Sequence, residues 1–221
     1  MITLYALKQS RAYRIAWLLE LLGVDYDIEI SERNVETHFA PESLKKIHPL
    51  GKSPMIKDGN LVLAESGAIV EYLINKYGQH TALKPRHDAA NYTDYLFWLH
   101  YAEGSLMPLL VMSLVFRKID AQKMPFYAKP IARKITDGVR NSFINPQLKL
   151  HLAFIEQSLH NKTWLLGETL TGADIMMGFP LQAALSRTDM TLPAITAYVE
   201  RIESEPAYVR AEQRIGQLTL L

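Results

Sequence analysis

The sequence contains no cysteine. This absence excludes disulfide bonds, a cysteine nucleophile and every metal site that needs a thiolate ligand. A fold that handles thiols would therefore have to receive its reactive sulfur with the ligand. The seven histidines show no metal-ligand spacing such as HExxH. We expect no metal site in this chain.

The sequence also lacks a charge excess and a long hydrophobic run. It has 24 Lys and Arg against 23 Asp and Glu, a net charge of +1, so no strong field attracts nucleic acid or an anionic membrane. No uninterrupted apolar run approaches the roughly 18 residues of a membrane helix. Residues 1–5 are typical of a strand and show no signal-peptide pattern. We therefore expect a cytoplasmic protein without nucleic-acid or membrane partners.

What is present indicates a globular chain of two parts. The 221 residues, 48% of them hydrophobic, suffice for one large domain or two small ones. Residues 1–78 alternate predicted strands and helices. They begin with a strand Ile2–Tyr5, a helix Arg11–Leu22 with Ser10 as its N-cap and Gly23 as its stop, and a strand Asp25–Ile30. Residues 31–47 are predicted to be irregular.

A hairpin and a helix follow this irregular stretch. The pattern predicts strands Met55–Lys57 and Leu61–Leu63 around a turn at Asp58-Gly59, and then a helix that opens at Glu65-Ser66 and ends near Gly78. The first strand pair needs a parallel crossover, whereas the second is an antiparallel hairpin. The order is β-α-β, irregular segment, β-β-α.

The second part of the chain is predicted to be all-helical. Residues 79–88 are typical of a linker. Helical segments then cover about 87–117, 126–161 (interrupted near Pro130 and Pro146) and 194–204. Thr171 and Asp174 have capping-box spacing with Asp in place of the usual Glu, which predicts a helix start and a structural, non-catalytic role for Asp174.

One pair of motifs points to a ligand. A Pro in the strand-like run at Pro54 belongs at an edge, at a strand start or after a cis bond, and a cis Ser53-Pro54 bond would leave the backbone of Ser53 free to pair with a peptide. Glu65 can hold an ammonium, and Ser66 at a helix start can bind a carboxylate. The two together suit a γ-glutamyl peptide. Taken singly, Ser66 is more often a plain helix cap and Pro54 a plain loop proline.

These residues resemble the cytosolic glutathione transferase family. The resemblance covers the whole chain and rests on residues 50–54, on Glu65-Ser66, on the Thr171–Asp174 capping box and on the segment 9–20. It implies a thioredoxin-like βαβαββα domain over residues 1–79, a linker over 80–87 and an all-α domain over 88–221. It further implies a homodimer, with glutathione as cosubstrate. Five residues are expected to hold glutathione: Lys52, Ser53, Pro54, Glu65 and Ser66.

The group that activates the glutathione sulfur is open at this point. Many family members have a catalytic Tyr, Ser or Cys in the first strand-to-helix loop, and here that loop offers Tyr5 and Ser10. Arg11 can add positive charge. Ser10 is equally well explained as a plain N-cap. Backbone amides at the helix end are the remaining alternative.

The electrophile is expected in an apolar cleft between the Tyr5–Ser10 loop and the helical face 101–111. Candidate lining residues are His100, Tyr101, Met107 and Leu110. The predicted activity is transfer of the glutathione thiolate to a small hydrophobic electrophile. The alternatives are a glutathione-dependent peroxidase or disulfide reductase on the same site, and a non-catalytic glutathione-binding protein.

Overall fold

The structure is a computed structural model that describes residues 1–35, 37, 39–188 and 190–220. Its N-terminal part is a four-stranded sheet with two α-helices. In chain order the elements are β1 (Ile2–Leu7), α1 (Ala12–Leu22), β2 (Tyr26–Ser31), a 3₁₀ helix (Glu42–Lys46), β3 (Met55–Asp58), β4 (Leu61–Ala64) and α2 (Ser66–Tyr77).

The predicted βαβαββα order is confirmed, and its second helix is the five-residue 3₁₀ helix. This helix lies in the stretch predicted to be irregular, of which Glu36 and His38 fall outside the described residues. Gly23 ends α1 as predicted, with a left-handed φ of 62°. The start of α1 differs from the prediction: Arg11 occupies the cap position and the helix begins at Ala12.

The sheet has the order β2-β1-β3-β4. β1 is parallel to β2 and antiparallel to β3, and β3 is antiparallel to β4. Tyr5, Met55 and Ala64 form one row across β1, β3 and β4. The end of β1, the start of β3 and the end of β4 therefore meet at the same edge of the sheet.

The C-terminal part is helical. Its elements are α3 (Tyr92–Tyr101), α4 (Met107–Asp120), α5 (Lys129–Val139), α6 (Asn145–Leu159), α7 (Gly172–Leu185), α8 (Pro193–Ser204) and α9 (Pro206–Ile215). α7 is buried along most of its length. The predicted capping box is present at its start, where Asp174 accepts hydrogen bonds from Thr171, Leu165 and Tyr198.

Two π-helical segments join neighbouring helices into longer runs. Ala102–Leu106 joins α3 to α4, and Arg140–Ile144 joins α5 to α6. Pro108 and Pro146 follow these segments closely. A proline ring crowds the carbonyl four residues earlier, and those carbonyls, of Gly104 and Ser142, lie inside the wider π turns. The predicted break at Pro146 is therefore a π segment within a continuous helix.

The run Tyr92–Asp120 is long and apolar enough, by length and composition, to cross a membrane. This corrects the expectation that no segment of the chain would reach that length. In the structure Trp98, Leu99, Leu106 and Leu110 of this run are buried in the core that also holds α1 and α7. The run is thus a core helix of the helical part.

The stretch between α2 and α3 contains no helix or strand. It is nevertheless docked: the Leu83 side chain is buried, and its carbonyl accepts a 2.7 Å hydrogen bond from the Gly172 amide at the start of α7. Lys84 forms an ion pair of 2.5 Å with Glu71 of α2. These contacts connect the sheet part to the helical part on both sides of the stretch.

Candidate active site

Three loops converge at the sheet edge described above: the loop from β1 to α1, the segment before β3, and the junction of β4 with α2. Neighbouring strands lie about 4.8 Å apart. The end of β1 is therefore about 10 Å from the end of β4, with the start of β3 between them. An extended tripeptide spans a similar distance of about 10 Å.

The Ser53-Pro54 peptide bond is cis, which is one of the three arrangements that the sequence left open for Pro54. The Ser53 hydroxyl accepts a 2.9 Å hydrogen bond from the Leu7 amide and donates one of 3.2 Å to the Tyr5 carbonyl. These bonds fix Ser53 against the end of β1. Its own backbone N–H and carbonyl have no partner in the described part of the chain, so they are available to a peptide ligand.

Glu65 occupies the cap position of α2 with a φ of 72°, in the left-handed region that a non-glycine residue rarely adopts. Its side chain is exposed. Ser66 is the first helical residue rather than the N-cap, which corrects the capping role considered for it. Ser66 is buried. The first amides of a helix have no intrahelical acceptor, so the N–H groups of Ser66 and Gly67 are free for an anion.

The β1–α1 loop has its own set of free amides. The Ser10 hydroxyl donates a 2.6 Å hydrogen bond to the Leu7 carbonyl and accepts one of 3.2 Å from the Ala12 amide. A hydroxyl can donate only one hydrogen bond, and the Ser10 hydroxyl donates it to the Leu7 carbonyl. The N–H groups of Gln9, Ser10 and Arg11 have no acceptor in the described residues. They precede α1, whose dipole favours an anion there.

Tyr5 lies away from these amides. Side chains alternate between the faces of a strand, and Tyr5 packs with Leu44, Met55 and Ala64 in a small cluster separate from the core that contains α1. Burial, and to a smaller extent the charge of Glu29, raises the pKa of Tyr5. Tyr5 thus packs on the face of β1 opposite α1, and its predicted role as a donor to the sulfur stays a prediction.

Arg11 and Arg14 share one carboxylate. Glu103 of the first π segment accepts from Arg11 at 2.8 Å and from Arg14 at 2.5 Å. Arg14 is 2% exposed, and its Nε and Nη2 have no partner in the described chain. Burial lowers the pKa of Arg14 to about 10, against the opposing effect of Glu103. Burial alone would raise the pKa of Glu103, but the two arginines lower it. Arg11 therefore neutralises Glu103 rather than standing free.

A cleft of about 640 Å³ lies between α2 and α3. Glu65, Gly67 and Ala68 border it on one side, and His100 and Glu103 on the other. Two predicted site residues, His100 and Glu65, thus lie on opposite sides of the same cleft. Lys52 is exposed beside the cis bond.

Tyr101, Met107 and Leu110 do not line this cleft. All three are buried in the helical core, and the Tyr101 hydroxyl bonds to His151 of α6. The three side chains therefore contact the helical core, and the cleft between the Tyr5–Ser10 loop and residues 101–111 stays a prediction.

Comparison with known proteins decides the family. Residues 1–75 match the family model described as "Glutathione S-transferase, N-terminal domain", and residues 144–206 match "Glutathione S-transferase, C-terminal domain". The chain is 34% identical to "Glutathione S-transferase 1" of Saccharomyces cerevisiae over 98% of this chain and 96% of that protein. The chain belongs to the glutathione S-transferase family.

A second relative of this family member is named for a different reaction. It is 30% identical to "Disulfide-bond oxidoreductase YfcG" of Escherichia coli, over 94% of this chain and 92% of that one. A crystal structure of a glutathione S-transferase from Actinobacillus pleuropneumoniae is 39% identical, with a TM-score of 0.81 over 99% of this chain and 94% of the other.

Two residues near the site, Glu103 and Gln9, were not predicted as site residues from the sequence. Glu103 is the one acidic residue within residues 96–116, and a lone acid in an apolar helix is a readable signal for a buried ion pair. Gln9 has a φ of 56°. A glutamine in a loop carries no pattern that predicts such a conformation.

Proposed function

We propose that the chain binds glutathione in an extended form along the edge formed by β1, β3 and β4. The γ-glutamyl end lies at the start of α2, where Glu65 faces the ammonium and the Ser66 and Gly67 amides face the carboxylate. The central peptide group pairs with the free backbone of Ser53, and the sulfur lies at the start of α1. The observation that carries this proposal is that free amides follow β1 and begin α2, while the ends of β1 and β4 lie about 10 Å apart on one sheet edge.

The free amides that precede α1 activate the sulfur by stabilising its thiolate form. A free thiol has a pKa near 8.5, so only a few per cent is thiolate at pH 7. Lowering this pKa by about two units takes about 2.7 kcal/mol of preferential thiolate stabilisation. Hydrogen bonds to a charged group contribute about 1.5–3 kcal/mol each. Two amides among Gln9, Ser10 and Arg11 therefore suffice without a side-chain hydroxyl.

The proposed reaction is attack of this thiolate on a hydrophobic electrophile to form a thioether. In a substitution the leaving group departs as an anion, and in an addition to an activated alkene the neighbouring carbon takes up a proton. The Saccharomyces cerevisiae relative named a glutathione S-transferase supports this choice. The Escherichia coli relative named a disulfide-bond oxidoreductase favours a second candidate. In that reaction the thiolate attacks a mixed disulfide and leaves as oxidised glutathione, while the other thiol is released. Since the chain has no cysteine, glutathione supplies the attacking sulfur in both.

Calorimetry with glutathione tests the binding mode. We expect Glu65→Ala to weaken binding about ten-fold or more, because the ammonium loses a charged acceptor. Glu200→Ala, which removes an exposed acid on α8, is the matched control and should bind as the wild type does. Ser66→Ala should weaken binding less, and its thermal unfolding must be compared because Ser66 begins a helix. Wild-type affinity in Glu65→Ala would refute the assignment.

A substrate screen separates the candidate reactions. The purified chain is assayed with glutathione and, in parallel, a halonitroarene, a hydroperoxide and a mixed disulfide. Turnover of the halonitroarene supports the transferase, whereas turnover of only the mixed disulfide or hydroperoxide supports the reductase or peroxidase. Glutathione binding without any turnover would identify a binding protein.

A further inference from the structure

Gln9 connects three parts of the molecule. It is one of three described non-glycine residues with a positive φ, and it directly precedes the Ser10 and Arg11 amides. Its carbonyl accepts a 3.3 Å hydrogen bond from Arg33. Residues held in sparsely populated backbone conformations concentrate at functional sites. The Gln9 backbone is thus fixed in an uncommon state next to the proposed sulfur position.

The Gln9 side chain uses both ends of its amide on the C-terminal segment. Its Nε2 donates to the Gln217 carbonyl at 3.0 Å, and its Oε1 accepts from the Thr219 amide at 2.5 Å. This is the hydrogen-bond pattern of a paired strand, made by one side chain. We call residues 216–220 the C-terminal strap.

The strap is held on its other side by the helical part. Tyr13 of α1 donates a 2.7 Å hydrogen bond to the Gly216 carbonyl, and Glu212 of α9 accepts one of 3.0 Å from the Leu218 amide. Leu218 and Leu220 alternate with the two residues that face Gln9. They line a groove of about 310 Å³ together with residues of α7 and α8.

The position of the strap has a consequence for the second substrate. We call the two side-chain hydrogen bonds of Gln9 to the strap the clamp. Consecutive Cα atoms are 3.8 Å apart, so Gln9, which forms the clamp, lies within one or two residues of the amides assigned to the sulfur. A molecule that reaches the sulfur from this side passes the strap backbone. We propose that Gln9 is a positioning residue that holds residues 217–219 beside the sulfur, so that the strap limits the size of the electrophile. This inference rests on the proposed function.

The test removes the clamp from each side separately. Gln9→Ala removes both side-chain hydrogen bonds. Thr219→Pro removes the amide N–H that donates to Gln9 and restrains the backbone there, whereas Thr219→Ala keeps that N–H and is the control. Rates are measured with glutathione and a series of straight-chain 2-alkenals from short to long, whose reactive group is constant. Hydrogen exchange at the Thr219 amide reports the clamp independently of any activity.

We expect Gln9→Ala and Thr219→Pro each to raise kcat/KM for the longest aldehyde relative to the shortest by about ten-fold, a size that discrimination of a few methylene groups reaches. Glutathione affinity in Thr219→Pro should stay within about two-fold, because that change lies outside Glu65 and the β1–α1 loop. Thr219→Ala should keep the wild-type profile. The wild-type Thr219 amide should be protected from exchange, and Gln9→Ala should abolish this protection.

Two results would overturn the inference. One is a wild-type Thr219 amide that exchanges as fast as in Gln9→Ala, which would mean that no clamp exists. The other is loss of protection without any change in the chain-length profile, which would leave Gln9 as a turn residue alone. A wild-type chain that binds glutathione but turns over neither an alkenal nor the halonitroarene would instead refute the transferase proposal, and the selectivity with it.

Discussion

Ser10 donates its single hydroxyl proton to the Leu7 carbonyl and caps the Ala12 amide. We therefore expect Ser10→Ala to leave the thiolate titration of bound glutathione unchanged, followed by its ultraviolet absorbance against pH. The same variant should lose about 0.5–2 kcal/mol of unfolding free energy in urea, because an amide at the start of α1 loses its acceptor.

Tyr5→Phe is the second variant in this titration. Tyr5 packs with Leu44 and Met55, apart from α1, so we expect the titration again to be unmoved. A midpoint raised by about one pH unit in Ser10→Ala would show that the hydroxyl turns to the sulfur when glutathione binds. The same rise in Tyr5→Phe would assign the role to Tyr5.

The sequence predicted the place of the site at residue scale but not the direction of each side chain. Local turn and helix-cap patterns were enough to predict four site residues, namely Ser53, Pro54, Glu65 and Ser66. The acceptor of the Ser10 hydroxyl depends on how tightly the loop folds back on Leu7. The partner of Arg11 and Arg14 depends on Glu103, about 90 residues away in sequence. Such contacts arise from tertiary packing and leave no local pattern.

At the scale of elements, the start of α7 depends on one buried carboxylate. Asp174 is fully buried and accepts from the Thr171 amide at 2.7 Å, the Thr171 hydroxyl at 2.9 Å, the Leu165 amide at 2.9 Å and the Tyr198 hydroxyl at 2.8 Å. Burial raises the pKa of Asp174, and these four donors oppose that shift.

We expect Asp174→Asn to lower the free energy of unfolding by about 2–4 kcal/mol, because an amide nitrogen cannot accept and leaves buried donors unpaired. Urea denaturation measures this loss. Thr171→Ser keeps the hydroxyl and should cost much less. If Asp174→Asn were as stable as the wild type, the carboxylate would not be essential to this helix start.

The first π segment changes which side chains of α4 share a face with α3. A helical pattern extrapolated through residues 102–106 assumes 3.6 residues per turn, whereas each π segment contains an extra residue. One extra residue rotates everything beyond it by about 100°. Met107 and Leu110, expected at the cleft, are consequently in the core. The neighbouring prolines are visible in the sequence, but Pro180 lies inside α7 without a π segment, so proline alone does not predict one.

At the scale of the whole molecule, the division into a mixed sheet part and a helical part could be predicted because the hydrophobic period changes along the chain. The exposed surface of these two parts is harder to predict from the sequence. Four exposed aromatic and aliphatic side chains lie on α3 and the α5–α6 run, and two of them, Phe97 and Phe154, have ring centroids 5.9 Å apart. They are Phe97 (46% exposed), Phe143 (50%), Leu150 (65%) and Phe154 (43%). Exposed apolar side chains grouped on neighbouring helices are typical of interaction sites.

We propose that this face joins two copies of the chain in a homodimer. Phe97→Glu and Phe154→Glu should shift sedimentation at micromolar concentration from dimer toward monomer, because each places a charge in the apolar contact. Val209→Glu is the control, since Val209 is similarly exposed but lies on α9. A wild-type chain that sediments as a monomer would refute the dimer, and an unaltered dimer in both variants would place the contact elsewhere.

The free amides of Gln9, Ser10 and Arg11 have a consequence for how this site responds to mutation. A side-chain acid or nucleophile is lost with one codon change, but every amino acid except proline brings the same peptide N–H. On the proposed assignment, the sulfur-binding groups survive most substitutions in the loop as long as its turn is kept. Selection at these three positions would then act on backbone shape rather than on side-chain identity, and the loop would be free to drift in composition while its chemistry stayed the same.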